Sequence, residues 1–146
     1  MSEMLLVVML GGRRAALPAI QVNAVIELGE VTPVPRAAPH VAGLAALRSR
    51  PLTVIDCTAA LGLVSERAER RGQRAVVVEH EGHLYGLVVD AADDIVAALG
   101  EPRPLGADPG PGWQAAALGR VETEAGAVLL LDIGAIIAGC SESLAA

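Results

Sequence analysis

A chain of 146 residues is long enough for one domain with a buried core, or for two small subdomains that share one. Its formal charge of −6 excludes a general nucleic-acid binder, which needs a basic face, and one Trp, one Tyr and no Phe leave no platform for stacking single-stranded bases. Apolar residues make up 53% of the chain. Yet no apolar run approaches the roughly 20 residues of a membrane span, and MSEMLLVVML lacks the basic start of a signal peptide, so a cytoplasmic protein is expected.

In chain order, LLVVML (5–10) reads as a strand that turns at GGRR and returns as AALP. PAIQVNAVI (18–26), apolar at 20, 22, 25 and 26, fits a helical piece that could end in a strand, and VNAVIEL (22–28) runs into the turn-rich TPVPRAAPH. GLAAL (43–47) and LTVID (52–56) flank RSRP. DCTAALGL (56–63) predicts a short helix with Asp56 as N-cap and Gly62 near its end. SERAERRGQR (65–74) is a solvated charged connection near the midpoint. RAVVVEH (74–80) and HLYGLVVD (83–90) flank EG as a tight hairpin, and IVAAL (95–99) follows. GEPRPLGADPGPG is too rich in Pro and Gly for a regular element. AALGRVE (116–122) and AVLLLDI (127–133) form a last hairpin around TEAG, and a short helix starts at Asp132. Short apolar runs between turn signals predict an all-β fold. The halves look alike: a hairpin, a further strand or two, then an Asp-led helix. That pattern suggests two similar small barrels.

Signals for catalysis are poor. No GxSxG, HExxH, P-loop or GxGxxG appears, and GGRR reads as a hairpin turn, not a phosphate nest. EHEGH (79–83) is the best metal candidate, but it straddles a turn where polar side chains face water in any case. His40 stands in a separate loop. Asp90, Asp93 and Asp94 read as a solvated turn or a helix N-terminus, and Trp113 as a lid over the core or a partner anchor. Cys57 and Cys140 lack CxxC spacing and read as buried reduced thiols. The inventory predicts no enzyme, no cofactor and no metal.

The segment VNAVIELGEVTPVPRAAPHVAGLAALRSRPLTVIDC (22–57) resembles the signature of the CheW family, the adaptor proteins of bacterial chemotaxis. Val22 and Val25 match its first apolar pair, and Pro39 and Gly43 its Pro-to-Gly turn. Leu47 and Arg48 match the centre of an Asn-Leu-Arg-Gly turn, and Ile55-Asp56 a Val-Asp. Gly86, Val89 and Asp90 match a later Gly-φ-φ-Val-Asp strand (φ, apolar), and LGRVETEAGAVLLLDIGAII (118–137) is similar to the closing hairpin and helix. Ala24, Ala46 and Ser49 depart from the family's acid, Asn and Gly.

The resemblance implies two five-stranded SH3-like barrels packed together with short helices. They would form one CheW-like domain over 1–146, divided near the 64–73 connection. It implies an adaptor without catalysis, coupling the cytoplasmic tip of a chemoreceptor to a CheA-type histidine kinase, with no nucleic acid and no membrane insertion. Arg48 would then offer a planar fork of donors to a partner, with Leu47 and Ser49 beside it. Val22, Gly43, Leu47 and Val88 are candidates for the apolar part of that interface. Two alternatives stand beside it: a small-molecule or metal-sensing β-barrel using EHEGH and Trp113, and a regulatory module of the kinase itself.

Overall fold

The central strands Met4–Leu10 and Arg74–His80 are apolar on both faces because both faces are buried. In the computed structural model, which describes residues 3–63, 72–106 and 109–139, β1 (Met4–Leu10) sends Leu5 and Val7 into one core and Leu6 and Val8 into another. In β6 (Arg74–His80), Ala75 and Val77 likewise face one way while Val76 and Val78 face the other. A strand covered on both sides reads as an unbroken apolar run, which accounts for LLVVML and AVVV.

The remaining strands are β2 (Arg13–Pro18), β3 (Val22–Glu27), β4 (Val41–Leu47), β5 (Arg50–Asp56), β7 (His83–Val89), β8 (Ala91–Ala97), β9 (Ala117–Thr123) and β10 (Gly126–Leu131). They form two five-stranded sheets, ordered β8-β1-β2-β10-β9 and β3-β6-β7-β5-β4. Each sheet curls until its edges meet. In the first, Ala98 bridges to Thr123 and the Leu99 N–H donates to the Glu122 carbonyl at 2.8 Å. In the second, Thr32 and Leu44 exchange two backbone bonds of 2.8 Å. The result is the expected all-β pair of barrels.

Each barrel has its own small core, and the largest cluster lies in the seam between them. Among the described residues, three short helices fill that seam: α1 (Cys57–Ala60), α2 (Pro111–Ala116) and α3 (Ile133–Ala138). Asp56 caps α1, accepting from the Ala59 N–H at 3.3 Å and from Thr58 Oγ1 at 2.6 Å. Asp132 caps α3 through the Gly134 N–H at 3.0 Å. Cys57 is buried beside these caps. Burial first, and then the Asp56 and Asp90 carboxylates, push its thiol far above the usual range, so it stays protonated and inert. Cys140 lies outside the described residues.

The two chain halves do repeat one another, but they do not each make a barrel. Segments β1–α1 and β6–α3 both run hairpin, strand, hairpin, Asp-capped helix. The lone strand of each half crosses over: β3 pairs with β6, and β8 pairs with β1. The 64–73 connection, of which 64–71 lie outside the described residues, therefore joins strands of the same sheet and does not separate the two barrels.

Other expectations are corrected locally. Within 18–26 only Ala19–Gln21 coil, as a single 3-10 turn; the β-branched Val22, Val25 and Ile26 continue as β3, paired with β6. Asp93 and Asp94 are not a turn or a helix start. They lie within β8 at a bulge opposite Val7, exposed on that strand. At the end of the Pro/Gly-rich stretch, Pro111 opens α2 at a position where its missing N–H costs nothing.

Candidate functional site

Leu47 and Arg50 are the last pair of the β4–β5 hairpin, so Arg48 and Ser49 are its whole turn. Both have positive φ, 49° and 69°, the type I′ geometry that matches strand twist and usually belongs to Asn-Gly. For L-residues this conformation costs about 1–2 kcal/mol each. The turn is held because it caps a closed barrel: Leu47 packs half-buried against the second core, while Arg48, Ser49 and Arg50 are exposed. Among the described residues no carboxylate or carbonyl engages the Arg48 guanidinium. An always-charged planar donor set is thus presented on a rigid, strained tip.

The other predicted contact residues do not join it as a surface. Val88 is only 6% exposed, because its pairing opposite Ala75 points it into the second barrel. Gly43 is buried at a bulge in β4 with φ 151°, and a Cβ there would lie 2.3 Å from the Thr32 carbonyl oxygen. Its role is to permit the Thr32–Leu44 clasp. Val22 is half-buried against the seam core. Of the predicted set, Leu47 and Ser49 alone adjoin Arg48.

Apolar exposure lies elsewhere. Alternation along β4 puts Leu44, 42% exposed, and Ala46 on the face that leads to Arg48. The alternation in GLAALR carried that signal. A second group, Met4, Ile20, Val25 and Ile95, lies on β1, the 3-10 turn, β3 and β8. β1 touches the 3-10 turn and β8, and β6, the neighbour of β3, touches β8. Ile95 stands opposite Leu6 and Val25 opposite Val76, both members of the seam core, so this group borders the seam between the barrels.

The metal and lid candidates resolve as structural parts. His80 and His83 face each other across the Glu81-Gly82 turn, and the His80 ring meets Tyr85 edge-on at 6.4 Å. His40 is buried against the C-terminal end of α3, with Nε2 2.7 Å from the Ile137 carbonyl. Among the described residues no three His, Cys, Asp or Glu side chains converge as a metal site. Trp113 is 4% exposed in the seam under the Arg13 guanidinium, a lid and not an anchor. Asp90 Oδ2 accepts the Gly11 N–H at 2.9 Å, tying β7 to the Gly11-Gly12 turn. Among the described residues no helix is long and apolar enough to cross a membrane.

Comparison with known proteins fits this geometry. The sequence pattern of the CheW-like domain matches residues 4–140. No curated protein sequence matches the chain. Among solved structures, the scaffolding protein TtCheW from Thermoanaerobacter tengcongensis superposes with a TM-score of 0.76. It shares 22% sequence identity, over 91% of this chain and 90% of that one, which is a likeness of fold.

Proposed function

The chain belongs to the CheW-like domain family, and from that premise we propose that it is a non-enzymatic chemotaxis adaptor in the cytoplasm, linking a CheA-type histidine kinase to chemoreceptor tips. The observation that carries this reading is the β4–β5 tip, where a charged fork with no partner among the described residues stands beside exposed Leu44 and Ala46. Such a tip suits a protein partner: an arginine anchor with an apolar neighbour is a common composition of interface hot spots. The kinase's regulatory domain docks here. The receptor's helical tip lies along the apolar seam of Met4, Ile20, Val25 and Ile95, as an amphipathic helix lies in a groove. Two barrels locked by one shared core hold both partners at fixed geometry, so little ordering cost is added on binding.

Calorimetry of the full chain against the regulatory domain of a CheA-type kinase from the same genome tests this. Binding is expected, and Arg48→Asp is expected to weaken it by about 2 kcal/mol, roughly thirtyfold. No binding to any such kinase would sink the adaptor reading. Binding unchanged in the variant would move the kinase off this turn.

A further inference from the structure

We propose that the outer face of β2, β10 and β9 on the first barrel is a separate docking surface for an acidic, leucine-containing segment of a protein partner. The register builds the surface. Leu129 of β10 lies between Ala15 of β2 and Arg120 of β9, and Ala127 stands one step along, level with Arg13. The apolar floor of Ala127 and Leu129 is bordered by Leu105, and it continues along β9 to Leu118, which is 59% exposed. Arginines stand on either side of it.

Two of those arginines are already positioned. Arg13 donates from Nη1 to the Pro109 carbonyl at 3.2 Å with its guanidinium 5.3 Å over Trp113, and Arg14 donates to the Ala125 carbonyl. Carbonyls fix a guanidinium without neutralising it, and a fork of five donors retains others for a ligand. Among the described residues neither of these nor Arg120 forms an ion pair, and Glu122, the carboxylate on the same face of β9, is not bonded to them. The chain has no lysine, and three of its eleven arginines line this cleft although the net charge is −6; Arg14 also borders Asp93 and Asp94 on its other side.

That contrast selects the occupant. A nucleic acid or an anionic bilayer extends well past the Debye length of about 8–10 Å and meets the repulsion of the whole molecule. A short acidic segment meets three arginines and the single Glu122 carboxylate on this face, and its leucines cover the floor. The surface lies on the opposite barrel from Arg48, so it stands or falls independently of the kinase assignment.

The test is fluorescence anisotropy of the full chain with a short labelled peptide in which glutamates flank paired leucines, alongside its Glu→Gln counterpart. Binding is expected for the acidic peptide only, weakening as salt rises. Arg120→Glu should lower affinity about tenfold, in line with loss of one charge-assisted contact. Because Arg120 is exposed and bears on no core residue, the variant is expected to fold; a matching thermal melt checks this. Arg48→Asp should leave peptide binding unchanged. Amide shifts on binding should centre on Leu118, Arg120 and Leu129. Equal binding of the Gln peptide, loss of binding in Arg48→Asp, or displacement of the peptide by phosphatidylserine vesicles would each overturn the proposal.

Discussion

Arg48 and Ser49 hold positive φ values that glycine adopts freely, and this strain gives the turn a measurable signature. Ser49→Gly relieves the steric part but adds freedom to the unfolded chain, so the net gain is small, about 0.5 kcal/mol. Urea denaturation should show a higher midpoint with an unchanged slope. Kinase binding should persist, since the Arg48 fork is untouched; a lower midpoint would mean that Ser49 makes a contact the strain argument ignores. The sequence made Arg48 legible because a charged turn between two apolar runs can only be a hairpin tip. It did not make Val88 or Leu44 legible in their roles. In strands buried on both faces, apolar identity does not tell which residue faces a core, and the one-residue bulge at Gly43 shifts the count along β4.

The elements that survived from sequence to structure are those with local causes: Gly-Gly and Glu-Gly turns, the Asp56 and Asp132 caps, and the paired apolar runs. Those that were misread depend on distant partners. Asp93 and Asp94 become strand because β1 offers an unpaired edge, and α2 forms because its first turn lies against α1. That last contact is close enough to test. A Cβ on Gly112 would lie 1.6 Å from the Leu61 carbonyl oxygen, a backbone atom that cannot swing aside. Gly112→Ala must therefore push α2 off α1 and open the seam around Trp113, at a cost of roughly 3 kcal/mol or more. Gly100→Ala, with nothing within 4 Å of its Cβ and no positive φ, serves as the control and should change stability by about 0.5 kcal/mol or less. Equal thermal midpoints for the two variants would show that the α1–α2 contact is dispensable.

At the scale of the molecule, the crossing of β3 and β8 decides how the chain holds together. Of the eight strand pairings among the described residues, four are internal to one half (β1–β2, β4–β5, β6–β7 and β9–β10), and four join the halves (β1–β8, β2–β10, β3–β6 and β5–β7). Neither half can close a barrel, and the seam core draws residues from both. A half on its own would expose strand edges and apolar faces together, which a chain of this size cannot stabilise. Fragments 1–63 and 72–146, made separately, should each show weak secondary structure and no cooperative melt. Mixed, they should form a one-to-one complex with the circular dichroism of the intact chain, because four ladders and the seam supply the association. The complex should melt at a lower temperature than the whole protein and at one that rises with concentration, since joining the fragments is a bimolecular step. A cooperative melt from either fragment alone would mean that a barrel can form without its exchanged strands, and the two halves would then be independent folding units.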